Sequence, residues 1–155
     1  MEIESYGFAD GENLDEKYAH TDVKGGKNLS PDLSWSGAPA GTQSYAITCY
    51  DPDAPTGSGW WHWVAWDIPE DVTALAEGEA LPTQAKTTLN DYGERGYGGP
   101  NPPAGPAHHY EFTVYSFDTE SIGIDDDTPS AAVRAQLLGK ATDKATITGL
   151  FAKPE

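Results

Sequence analysis

A chain of 155 residues is one domain's worth of polypeptide, and 37% hydrophobic against 22% charged residues leaves enough apolar material for a packed core. Nine Lys and Arg stand against 25 Asp and Glu, a formal net charge of −16, which argues against nucleic acid and anionic lipid as partners because both are bound through clustered cations. The lone cysteine, Cys49, cannot form an internal disulfide.

The amino terminus, Met1-Glu-Ile-Glu-Ser5, lacks the basic flank and apolar run of a secretory signal. No apolar stretch approaches the roughly 20 residues that span a bilayer. A cytoplasmic protein without stable membrane insertion is therefore expected. The acid excess fits a high-salt cytoplasm and an ordinary acidic protein equally well.

Along the chain, Ile3 to Phe8 reads as a weak first strand, and Gly11 to Asp32 as a long loop. Tyr45 to Tyr50 carries apolar residues at both parities, the mark of a strand covered on both faces. Trp61 to Ile68 is rich in aromatic and branched residues and stops at Pro69. A short helical turn is expected over Asp71 to Glu77, then a second long loop from Leu89 to Ala107; long loops in a compact domain are usually functional or mobile. His109 to Phe117 opens with clean alternation and predicts a strand, as does Ala145 to Ala152. Between them lies one helix. Thr128 is placed to cap it, Pro129 to begin it, and Asp125, Asp126 and Asp127 to complement its dipole. Its apolar stripe is Val133, Leu137 and Leu138, and it ends near Gly139 or Lys140. With 17 Gly and 12 Pro punctuating short apolar segments, the chain predicts a mostly β fold. One domain over residues 1–155 is expected, a sandwich of two antiparallel sheets with one or two short peripheral helices.

Three clusters hold the unusual residues. Asp51-Pro-Asp53-Ala-Pro55 puts two carboxylates on a turn stiffened by prolines; alone, it reads equally as a rigid turn whose Asp side chains cap backbone amides. Trp60-Trp-His62-Trp63 places a histidine among aromatics, and strand parity sets His62 with Val64, Trp66 and Ile68, opposite Trp61 and Trp63. The run from Gly93 to Tyr110 mixes glycines, which let backbone amides approach a ligand, with prolines, which hold the loop. After it, His108, Tyr110, Phe112 and Val114 face inward, and His109, Glu111 and Thr113 face water. If these clusters converge, they offer imidazole, tyrosine and amide donors with a carboxylate to set the histidine tautomer, which suits an anion pocket. No His/Asp pair has the spacing of a helical metal motif, so neither a metal nor a cofactor is expected. No G-x-S-x-G elbow presents a nucleophile, and Gly57-Ser58-Gly59 is too short to count.

Asp51-Pro-Asp-Ala-Pro55, Trp60-Trp-His62, and Gly99-Pro-Asn-Pro-Pro-Ala-Gly105 leading to His108-His-Tyr110 resemble the phosphatidylethanolamine-binding protein family, also called the Raf kinase inhibitor protein family. Leu29 to Pro39 is similar to its compact bacterial and archaeal branch. The resemblance runs in order over nearly the whole chain. It implies a two-sheet sandwich with an anion pocket at Asp51, Asp53, His62, His108 and Tyr110, rimmed by Trp60, Gly99 and Pro103. It also implies a cis bond at Ala54-Pro55. Phosphate, phosphomonoester, carboxylate or phospholipid-headgroup ligands follow from it, bound without catalysis, with a His near Asp51 tending to be protonated. Two alternatives stand beside this: an inhibitory interaction protein whose partner is a kinase or protease, and a His/Asp-dependent esterase or hydrolase using His62 or His108 as general base with Asp51 as orienter. Monomer and homodimer are both compatible with the sequence.

Overall fold

Residues 44–51 need cover on both faces, and the chain supplies it by sandwiching one large sheet between two different layers. The computed structural model describes residues 1–154. Its strands are β1 (Glu2–Glu4), β2 (Leu33–Ser36), β3 (Ser44–Asp51), β4 (Trp60–Pro69), β5 (Ala74–Leu75), β6 (Lys86–Thr87), β7 (His108–Phe117) and β8 (Asp143–Phe151); the helix α1 spans Ser130–Lys140. All pairings between these strands are antiparallel, in a three-stranded sheet ordered β1-β2-β5 and a five-stranded sheet ordered β6-β4-β3-β7-β8. The expected class, mostly β with two antiparallel sheets and one helix, is what the chain adopts.

One core lies between the sheets. Leu33, Trp35 and Leu75 of the small sheet meet Ile47, Cys49, Trp63, Phe112 and Val114 of the large one. The second core lies on the far face of the large sheet, where Ala46, Val64, Trp66, Tyr115 and Phe117 pack against Val133 and Leu137 of α1 and against Ile122 and Ile124. Burying a side chain of this size contributes about 1.5–3 kcal/mol, so the two-sided cover explains the long apolar runs in β3, β4 and β7. It also limits the expectation for β7: His109 is exposed, but from Thr113 onward its outer face is buried under the second layer.

Four local expectations are corrected. Residues 71–77 form no helical turn; Ala74 and Leu75 pair with β2 instead. Thr128 does not cap α1. Pro129 holds the cap position with ψ 148°, no side chain caps the helix, and no acidic residue stands in its first turn. The Thr128 carbonyl is held by the Thr88 hydroxyl and its amide by the Asp125 carbonyl, so it closes a turn that precedes the helix. Leu138 is exposed, and only Val133 and Leu137 of the expected stripe are buried. Thr128→Ala is accordingly expected to shift the urea midpoint by less than about 0.5 kcal/mol equivalent, where loss of a working cap costs about 1 kcal/mol. Finally, every peptide bond among the described residues is trans, Ala54–Pro55 included. The Thr56 amide donates to the Ala54 carbonyl at 2.8 Å, closing a three-residue turn that a trans proline enters with its ordinary φ.

The carboxy-terminal strand β8 has an outer edge, and residues 10–14 run along it. Gly11 and Leu14 donate to the carbonyls of Thr148 and Leu150, Leu150 donates to Glu12, and the Asp10 carboxylate accepts from the Thr148 amide. No helix among the described residues is long and apolar enough to cross a membrane.

Candidate functional site

The position of His62 is set by a break in strand pairing. Cys49 pairs with Trp63 and Tyr50 with Trp61, so His62 has no partner opposite it: it is the extra residue of a β-bulge. A bulge turns every side chain beyond it to the other face. Trp61 therefore points to the helix side with Val64 and Trp66, while Trp63 and Ala65 enter the core between the sheets. The expected grouping of His62 with Val64, Trp66 and Ile68, opposite Trp63, is thereby corrected. The His62 ring meets Tyr110 edge-on at 5.1 Å on the site side of the sheet. A second irregularity near Asp67, where φ is 57°, shifts the parity once more.

His62 is buried and clamped to the 90–99 loop at two points. Its Nδ1–H donates to the Gly98 carbonyl at 2.6 Å, and its own carbonyl accepts from the Gly98 amide at 2.8 Å. A carbonyl can only accept, so Nδ1 carries the proton and the other ring nitrogen, Nε2, is left with a lone pair in the neutral ring. Burial pushes the His62 pKa down to about 4, against smaller opposing contributions from the Gly98 carbonyl and Asp51. The ring is neutral at physiological pH.

Asp51 ends β3 and is buried. Its Oδ2 accepts from His108 Nδ1 at 2.7 Å and its Oδ1 from the Asp53 amide at 2.8 Å. This carboxylate orients the half-buried His108 at the start of β7 and fixes the turn beyond β3. Tyr110 is fully buried, and burial first, then the Asp51 charge, lifts its hydroxyl far above the ordinary tyrosine range. It remains an O–H group at any physiological pH.

These residues surround a cavity of about 420 Å³, within the range of small-molecule sites. Of the expected residues, Asp51, Trp60, His62, Pro103, His108 and Tyr110 line it. Asp53 and Gly99 do not. The Asp53 carboxylate accepts from both the ring and the amide of His109 on the surface; burial alone would raise its pKa, but those bonds outweigh it and hold Asp53 below its ordinary value. The Gly99 amide donates to Asn28 Oδ1 at 2.7 Å, and Gly98 is committed to His62, so these loop amides are turned toward the protein. Sequence reasoning missed Tyr92, Asn101 and Asp22, all of which line the cavity. Tyr92 bridges the wall: its hydroxyl donates to the Gly99 carbonyl at 2.7 Å, and its ring lies 5.4 Å from Trp60 and 5.6 Å from His62. The available signal was the aromatic residue in the Asn90-Asp-Tyr-Gly93 turn, inside the long loop already singled out.

Three residues that line the cavity, Tyr110, Trp60 and Asn101, each carry a buried polar atom with no hydrogen bond within 3.5 Å, and the Tyr110 hydroxyl has the Asp51 carboxylate as its polar neighbour. A larger hollow of about 670 Å³, between β1, β2 and β8, gathers no histidine and carries Glu2 and Glu4 in its wall. His62 and His108 line the smaller one.

The two-sheet fold has counterparts among known proteins. The phosphatidylethanolamine-binding protein family model matches residues 4–152. The chain is 40% identical to the YbhB protein of Escherichia coli, over 97% of this chain and 99% of that one. Its fold superposes on the crystal structure of E. coli YbcL, described as a new member of the mammalian PEBP family, with TM-score 0.92 and 41% identity over 99% and 98% of the two chains. It likewise resembles the homologue CT736 of Chlamydia trachomatis, with TM-score 0.85 and 28% identity over 99% and 97%. The chain belongs to the phosphatidylethanolamine-binding protein family, in the branch that includes YbhB and YbcL.

Proposed function

We propose that the cavity binds a small phosphorylated or carboxylated anion, such as phosphate, a phosphomonoester or a phospholipid headgroup, without transforming it. The observation that carries this reading is that three residues lining one cavity, Trp60, Asn101 and Tyr110, each hold a buried polar atom with no hydrogen bond within 3.5 Å. Buried polar atoms are nearly always hydrogen-bonded, and an orphan costs about 1–3 kcal/mol. A ligand that accepts from Trp60 Nε1–H and the Tyr110 O–H removes that cost. Asn101 joins them as a donor after a half-turn of its amide, which exchanges oxygen for NH₂ with little change in shape.

The body charge opposes any anion, and Asp22 and Asp51 lie in the wall. Screening over about 8–10 Å at physiological salt weakens the distant charges. Asp51 itself already accepts from His108 and Asp53. Binding rather than covalent catalysis is supported by the lining: its one alkyl hydroxyl, Thr56, donates to the Gly59 carbonyl.

Titration calorimetry with inorganic phosphate tests the reading. Tyr110→Phe is expected to weaken binding about tenfold while shifting the stability of the free protein by less than about 1 kcal/mol, since the hydroxyl it removes makes no hydrogen bond within 3.5 Å there and has only the Asp51 carboxylate as a polar neighbour. A wild-type protein that takes up no phosphate at millimolar concentration contradicts the reading.

A further inference from the structure

An anion site is usually imagined as a ring of donors, yet one wall of this cavity presents an acceptor. The Gly98 carbonyl fixes the His62 tautomer from the protein side, so the neutral ring has only a lone pair on Nε2. A sulfate or a fully deprotonated phosphoryl group would set its own lone pairs against it. A phosphoryl oxygen that still holds its proton would instead donate to it.

We infer that His62 reads the proton of the ligand: its Nε2 accepts from a P–OH group, and the site selects a phosphoryl monoanion that retains one hydroxyl, rejecting sulfates and phosphodiesters. This rests on the anion-binding reading above and narrows it to orthophosphate and phosphomonoesters. A phosphodiester headgroup has no P–OH and falls outside the class. The soluble monoester is favoured over a membrane-borne one, because a body of charge −16 is repelled by the anionic surface that a lipid monoester creates.

The groups facing His62 leave this assignment intact. Asp51 and His108 are paired with each other through Nδ1, and Tyr110 and Tyr92 meet the ring edge-on and stay protonated. His20 stacks on Tyr92 at 4.7 Å and accepts from the Asp22 amide, with the Asp22 carboxylate at the cavity rim. Cys49, behind Asp51, is held as a thiol by burial. None of these supplies a proton to Nε2 at neutral pH.

The test compares methyl phosphate, methyl sulfate and dimethyl phosphate by calorimetry at pH 5. All three are tetrahedral monoanions there, because the second ionisation of a phosphomonoester falls at about pH 6, and only the first carries a hydroxyl. Methyl phosphate is expected to bind about tenfold more tightly than either of the others, and to lose that advantage as pH rises past its second ionisation. His62→Gln, whose amide can both accept and donate, is expected to shrink the difference to within about threefold. If that variant does not fold, ¹⁵N shifts of the wild-type His62 ring decide: Nε2 unprotonated in the methyl phosphate complex supports the inference, and Nε2 protonated there overturns it. Equal or tighter binding of methyl sulfate or dimethyl phosphate also overturns it while leaving the anion reading standing. Binding of none of the three defeats both. Vesicles containing phosphatidate are expected not to co-sediment the protein, and co-sedimentation overturns the preference for a soluble ligand.

Discussion

Gly99→Ala is expected to cost about 3 kcal/mol or more, or to prevent folding, and to abolish phosphate binding in whatever folded fraction remains. A Cβ at this position would overlap the Tyr18 carbonyl oxygen and lie 2.6 Å from the Ala19 carbonyl carbon. Both neighbours are backbone, and neither is free to yield. Ala19 is fully buried, the His20 amide donates to the Pro100 carbonyl at 3.0 Å, and the Tyr97 hydroxyl holds the Tyr18 carbonyl at 2.7 Å. The loop that carries Asn101, Pro102 and Pro103 into the cavity wall is thus seated directly on residues 18–20. Gly139→Ala serves as the control. That glycine lies in α1 with nothing within 4 Å of the added carbon, and the substitution is expected to raise stability by about 0.5–1 kcal/mol through helix propensity. Urea denaturation of both variants checks the pair. A Gly99→Ala midpoint within experimental error of the wild type would show that the two loops are not in the contact described.

The second large effect is on pH dependence. The protein is expected to lose roughly 3 kcal/mol of stability as pH falls from 6.5 to about 4, because of His62 alone. The unfolded ring takes its proton near the ordinary value of 6.5, whereas the buried ring resists until about 4. Within that window the unfolded state binds more protons, so stability rises with pH, and it is fully present above the unfolded value. Two other contributions overlap at the acid end. Protonation of surface carboxylates relieves self-repulsion, while Asp53 and Asp143, held low by their partners, give up stability only as pH falls further. Both are common to wild type and His62→Gln, so the difference between the two proteins isolates the imidazole. Urea midpoints measured at several pH values should slope for the wild type and flatten for the variant. Parallel slopes would mean that His62 is not desolvated in the folded state.

Four long strands and the helix were legible because each carries its signal within a short window: apolar residues at both parities in β3 and β4, alternation opening β7, and a proline beside a 3.6-residue stripe for α1. The small sheet was legible only at its first strand, expected over Ile3 to Phe8 and found at Glu2–Glu4, with residues 5–8 outside it. Leu33–Ser36 has only two apolar positions in Leu-Ser-Trp-Ser, and β5 beside it and β6 at the edge of the large sheet are two residues each; their existence depends on partners far along the chain. The side of the sheet that His62 faces was illegible for a related reason. A bulge belongs to a pair of strands, and the residue left over is decided by both. Asp51, His62, His108 and Tyr110 nonetheless line one cavity, as expected, because unusual residue types at three strand ends can be singled out even when their directions are unknown. Asp53 and Gly99 show the reverse. Their motif positions were conspicuous, but the one secures the surface His109 and the other allows two loops to touch.

The segment from Asp10 to Leu14 has a consequence for how the molecule meets its own copies. Lying beside β8, it occupies amide and carbonyl positions that would otherwise stand open at the end of a five-stranded sheet. Strip it away and the strand regains the free hydrogen-bonding rim on which a second chain can dock edge to edge. Solubility at that end of the protein therefore depends on a few residues of irregular chain, as well as on the mutual repulsion of its negative charges.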